Sequence, residues 1–107
     1  MSEKPSSSAS RSSTSDELLW VVYLVRCSDD SLYCGMSKDL DNRIKMHNSG
    51  KGSKYTRGRL PVVVVATTRK MTQYEAIRLE LKIKSLRTQE AKLNYINGLR
   101  WRDLNNA

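Results

Sequence analysis

Cysteine, histidine and acidic side chains are all scarce in this chain of 107 residues. Its two cysteines, Cys27 and Cys34, have no second pair with which to complete a tetrahedral zinc site. A His-Cys-Cys site would require His47, the single histidine, to turn from its helix towards the strands. Both cysteines fall in strand-like runs and read as buried, reduced thiols in a cytoplasmic protein. No long apolar segment and no basic amphipathic helix with a bulky aromatic face is present, so no membrane partner is expected. Residues 1–16 have no apolar h-region and do not read as a secretory signal. No internal repeat is visible. Acidic residues number 11 against 19 basic ones, a formal charge of +8. That balance calls for an anionic partner, nucleic acid first, although charge of this size also serves solubility alone.

Residues 1–17 are rich in serine and nearly devoid of apolar side chains, which predicts a disordered tail that cannot offset its ordering entropy. The run Trp20-Val21-Val22-Tyr23-Leu24-Val25-Arg26-Cys27 is β-branched and aromatic, and Ser28 to Ser31 bound it. Leu32-Tyr33-Cys34-Gly35-Met36 supplies the second arm of a hairpin. Tyr23 and Tyr33 lie an even number of positions apart, so a three- or five-residue loop puts both hydroxyls on one side of the sheet. Ser37 and Asp39 can cap a helix from Leu40 to about Asn48, and Gly50 can stop it. On that helix Leu40, Arg43, Ile44 and His47 share one face. A guanidinium and an imidazole one turn apart on an apolar stripe, just after two tyrosines, point to a polar pocket rather than simple packing.

Ser49 to Arg59 reads as a basic, glycine-rich loop. Lys51, Lys54, Arg57 and Arg59 can neutralise phosphates there, and Tyr55 can stack on a base. It lacks the Gly-Lys-Ser or Gly-Lys-Thr ending of a nucleotide-binding loop. Pro61 introduces Val62 to Thr68, apolar on both faces and read as a central strand. Thr72-Gln73-Tyr74-Glu75 is a capping box opening a helix to about Leu86, with Ala76, Ile77, Leu79, Leu81, Ile83 and Leu86 as its apolar arc. Glu80 falls inside that arc. Its carboxylate must pair, with Lys84 at i,i+4, or hold a hard cation such as Mg²⁺. A last helix runs from Thr88 to about Ile96, with Gly98 as its stop and Trp101 as a further packing residue.

This order, a strand with Tyr23, a strand with Tyr33-Cys34-Gly35, a helix with Arg43 and His47, a third strand and a helix with Glu80, resembles the GIY-YIG nuclease superfamily. Val21-Val22-Tyr23 and Tyr33-Cys34-Gly35 stand where that superfamily has its two tripeptides. The stretch from His47 to Gly58 is similar to the small UPF0213 group and to the nuclease domain of the Slx-type structure-specific endonuclease. The resemblance implies an α+β domain over residues 18–100, a three-stranded antiparallel sheet flanked by helices, and a short tail at 101–107. It also implies Mg²⁺- or Mn²⁺-dependent cleavage of DNA phosphodiesters, in repair or recombination and with selectivity for DNA structure. Tyr23 would be the general base with Tyr33 beside it, and Arg43 would hold the scissile phosphate. His47 would handle protons, and Glu80 would bind the metal. Lys38 would stand in for a lysine that some members carry at Met36. A monomer is expected, targeted to its substrate by a protein partner. The alternative is a nucleic-acid-binding module that keeps the scaffold without turnover.

Overall fold

The computed structural model describes residues 17–99; the tails read at residues 1–17 and 101–107, and Trp101, lie essentially outside them. Three antiparallel strands form one sheet: β1 (Val21–Arg26), β2 (Leu32–Ser37) and β3 (Val63–Thr67), in the order β2-β1-β3. Among the described residues four helices accompany it: α1 (Leu40–Asn48), the short α2 (Lys54–Arg57), α3 (Gln73–Ser85) and α4 (Gln89–Gly98). No described helix is long and apolar enough to cross a membrane.

β1 is central because both of its edges are paired, and Val22 to Val25 are accordingly buried. Side-chain alternation divides them between two cores. On one face Val22, Leu24 and Cys34 pack with Ala76, Leu79 and Ile83 of α3 and Ile96 of α4. On the other Tyr23, Val25, Cys27 and Val62 meet Tyr33, Leu40, Ile44 and Leu60. The sheet is thus a partition with α1 and α2 on the tyrosine side and α3 and α4 behind.

The hairpin register pairs Arg26 with Leu32, leaving Cys27 to Ser31 as a five-residue loop. Tyr23 faces Gly35 and Tyr33 faces Val25, so both phenols emerge on one face, as loop length requires. Asp30 takes the left-handed conformation (φ 68°) that closes this loop, a region aspartate tolerates better than most side chains. Asp39 caps α1 by accepting from the Asn42 N–H at 3.2 Å, and Gly50, at φ 84°, lets the chain leave the helix. Thr72 and Glu75 form the reciprocal capping box at the start of α3.

Three expectations are corrected. β3 is an edge strand, not the central one: Val63 is 56% and Val64 39% exposed, and the register shift between Leu24 and Val25 bulges the strand. The apolar arc of α3 is narrower than its sequence suggests, since Ala76, Leu79 and Ile83 are buried while Ile77 and Leu81 face solvent. The basic loop contains a helical turn, α2, which Ser53 caps by accepting from the Thr56 N–H at 3.2 Å.

Candidate active site

Period-2 alternation in β1 sends Tyr23 towards α1, where His47 is the last residue but one of the helix. Their polar atoms meet: the Tyr23 Oη lies 2.9 Å from His47 Nε2. The other ring nitrogen, Nδ1, lies 2.9 Å from Thr56 Oγ1 of α2. Thr56 Oγ1 in turn donates to the Ser53 carbonyl at 3.3 Å. In the tautomer that protonates Nδ1, His47 donates to Thr56 Oγ1 and Nε2 accepts from the Tyr23 phenol. Tyr23 and His47 are each 1% exposed and Thr56 is fully buried, so the line runs through a dry interior.

Burial governs the titration of both rings. It pushes the Tyr23 phenol well above its ordinary value, helped by Tyr33, Cys34 and Glu80, with Arg43 opposing. It holds the His47 imidazole below the usual histidine value, and the nearby Arg43 charge adds to this. The resting pair is therefore neutral, a phenol donating to an imidazole. The Cys34 thiol, on the other face, is pushed up to about 12 by burial first and Glu80 second.

Two glycines make room for this arrangement. A Cβ on Gly35 would stand 2.5 Å from the Tyr23 Oη, and one on Gly52 would overlap the His47 ring. Asn48 fastens the end of α1 to the approach to β3, donating to the Val62 carbonyl at 3.2 Å and accepting from its N–H at 2.7 Å. Tyr33, partly exposed, sets its ring edge-on to His47 with centroids 5.4 Å apart and stacks on Tyr55 at 5.8 Å. Arg43, also partly exposed, makes no side-chain hydrogen bond or ion pair among the described residues, so its five N–H donors are available to an anion.

Glu80 comes from α3, behind the sheet, yet its charge is felt by Tyr23 as well as by Cys34. Its side chain is 20% exposed and pairs with Lys84 at 3.6 Å. The Lys84 ammonium lies 5.8 Å from the centre of the Tyr33 ring, so this pair reaches the free edge of β2. No cluster of three or more His, Cys, Asp or Glu side chains exists among the described residues. A hard cation that keeps most of its waters needs only one or two carboxylates, and a partly exposed Glu80 at the sheet edge suits that requirement.

The residues read as DNA contacts fare unequally. Lys51, Lys54 and Arg57 are exposed, and Lys38 sits 5.7 Å from the centre of the Trp20 ring. Arg59 is engaged: it pairs with Asp29 at 2.9 Å, donates to the Tyr55 carbonyl and lies 4.1 Å from the centre of the Tyr55 ring. Tyr55 is thus already stacked on Tyr33 and covered by a guanidinium. Sequence reasoning missed Thr56, Gly35 and Gly52 as positioning residues. The Ser53-x-x-Thr56 spacing, a capping serine three positions before a hydroxyl, was the available signal for the first.

An α+β fold with two tyrosines, a histidine and an arginine gathered at one sheet face defines a class before any comparison. A family model described as the GIY-YIG catalytic domain matches residues 19–94, and the chain belongs to that family. It is 44% identical over 75 residues to the UPF0213 protein SAG0778 of Streptococcus agalactiae, covering 70% of this chain and 84% of that one. It is 46% identical over 78 residues to the UPF0213 protein BH0048 of Halalkalibacterium halodurans, covering 72% and 83%. The solution structure of EF2693 from E. faecalis superposes with a TM-score of 0.51 at 30% identity, over 76% of this chain and 86% of that one. The family is one of nucleases that in general depend on a metal.

The pH response follows from the His47 line. If neutral His47 accepts a proton, turnover falls as the pH drops through its depressed value, below the ordinary ~6.5. His47→Gln should remove that acid limb from the pH–rate profile as well as slow the reaction. Stability moves the same way. The unfolded histidine binds a proton below about 6.5 while the folded one resists, so stability is highest above that pH and declines as the pH falls towards the folded value. Urea unfolding at pH 7 and pH 5 measures this decline, which should shrink in His47→Gln; an equal decline in both proteins would remove His47 as its source.

Proposed function

We propose that the protein is an endonuclease that hydrolyses DNA phosphodiesters with the help of Mg²⁺ or Mn²⁺, in repair or recombination. The observation that carries this reading is the buried hydrogen-bonded line from Tyr23 through His47 to Thr56, beside an Arg43 that has no side-chain hydrogen bond or ion pair among the described residues. Arg43 receives the scissile phosphate and stabilises the charge that grows on its oxygens. Tyr23 passes its proton to His47 Nε2 and takes one from the attacking water, whose oxygen forms the new bond to phosphorus as the bond to the leaving oxygen breaks. The leaving alkoxide collects its proton from solvent. Arg43 favours the phenolate formed in this exchange and opposes the imidazolium, so the charged pair is short-lived.

Tyr23 is 1% exposed, and the attacking water reaches its oxygen only when neighbouring side chains part. Tyr33 and Arg43, the solvent-facing members of the set, are the groups placed to do so. Glu80 would hold the cation, which supplies Lewis-acid stabilisation of the phosphate, and Lys84 would leave the carboxylate as it binds. The two buried free thiols suit a reducing cytoplasm. Selectivity for DNA structure and a targeting partner complete the reading.

A cleavage assay over duplex, flap, fork and single-stranded DNA tests it, with chelator, Mg²⁺ or Mn²⁺ added. Cleavage restored by metal and lost in chelator is expected. Binding of DNA without cleavage under any metal would leave a binding module instead.

A further inference from the structure

Beyond Tyr33, on the side away from His47, the free edge of β2 forms one wall of a cleft of about 460 Å³. Tyr33, Tyr55, Lys84, Arg87, Gln89 and Lys92 are among its lining residues. These cations come from the end of α3, the turn after it and the start of α4, and none belongs to the basic segment from Lys51 to Arg59. Lys92 is held in place by donating to the Leu86 carbonyl at 2.9 Å and the Ile83 carbonyl at 3.4 Å, so its charge is fixed at the rear. Lys84 is shared with Glu80. Arg87 is exposed and has no hydrogen-bond or ion-pair partner among the described residues.

We infer that this cleft seats a backbone phosphate of the strand being cut, on the far side of Tyr33 from the scissile one, with Arg87 as its principal donor. The inference rests on the nuclease reading for the identity of the strand. Tyr33 is a common wall, touching His47 on one side and lining the cleft on the other, so a strand lying over Arg43 continues into the cleft. Three of the lining side chains, Lys84, Arg87 and Lys92, are cations and none is an anion, which suits a phosphodiester, an acceptor without a proton to give. The planar fork of Arg87 is the one cation there with all its donors unengaged, and such forks match two phosphate oxygens at once.

Binding, read without turnover, separates this inference from the activity. Anisotropy of a fluorescein-labelled 20-base-pair duplex is measured in chelator, from 50 to 200 mM salt, for the full chain and three variants. Arg87→Gln should weaken affinity several-fold and flatten the slope of log K against log salt by about 0.9, the value for one phosphate contact. Arg87→Lys should keep the slope, because the charge remains, while losing part of the affinity. Lys45→Gln, on the outer face of α1, is the control for loss of charge alone. Equal effects of Arg87→Gln and Lys45→Gln overturn the cleft, whether or not the protein cleaves DNA. If Arg87→Gln behaves as expected but no metal supports cleavage, the nuclease reading falls and the phosphate seat stands.

Discussion

Arg43→Ala is expected to lower metal-dependent cleavage of DNA by roughly 10³-fold, the scale for removing a positioned donor from developing charge. The side chain carries no hydrogen bond or ion pair that the fold requires among the described residues, so the stability from urea unfolding should change little, by no more than about 0.5 kcal/mol. Arg43→Lys should recover only a small part, because a point charge cannot reproduce two parallel donors. The loss should fall on kcat more than on KM, since the interaction strengthens as the phosphate gains charge. A purified Arg43→Ala protein that cleaves like the parent would assign the activity to a contaminant. Glu80→Ala serves as the companion: its loss of activity should be partly recovered by raised metal concentration, whereas that of Arg43→Ala should not.

Gly35→Ala should disable the protein by a different route. The added methyl would meet the Tyr23 Oη at 2.5 Å and Cζ at 2.7 Å, and that ring is 1% exposed. Either the sheet spreads or the phenol retreats from His47. Overpacking of this kind costs about 1–3 kcal/mol. A buried hydrogen bond broken on one side adds about 1–3 kcal/mol more. At about 4–8 °C per kcal/mol for a domain of this size, the thermal midpoint should fall by at least roughly 10 °C. Gly98→Ala, whose Cβ meets nothing within 4 Å, is the matched control. Thermal unfolding of the two variants side by side decides it; a Gly35→Ala midpoint equal to that of Gly98→Ala would mean that the ring is not confined.

Much of this arrangement is legible in the chain because it depends on local rules. The β-branched run and the odd loop place both phenols on one face, and helical spacing aligns Arg43 with His47 before any contact is known. The caps at Asp39, Thr72 and Thr88 are likewise local chemistry. What escapes is whatever depends on neighbours. Valines from 62 to 65 show capacity for burial, but which strand lies beside them decides their exposure, and β3 has one partner. Ile77 and Leu81 fit an apolar arc, yet α3 meets the sheet along a narrower stripe. Arg59 reads as a phosphate ligand until Asp29, thirty residues away in sequence, claims it. The clasp of Thr56 on His47 needs α2 to fold back on α1, which no pattern within either segment announces.

The unpaired border of β3 has a bearing on how copies of the chain behave together. A surplus of +8 makes free molecules repel one another, and that repulsion guards a valine-rich row of backbone donors and acceptors against joining its like. On a polyanion the guard is cancelled: molecules crowded along the same duplex have their charges compensated by phosphates. Under the proposed function, the lysines and arginines that would bring the protein to DNA also act as its anti-aggregation device, and they perform only one of the two tasks at a time.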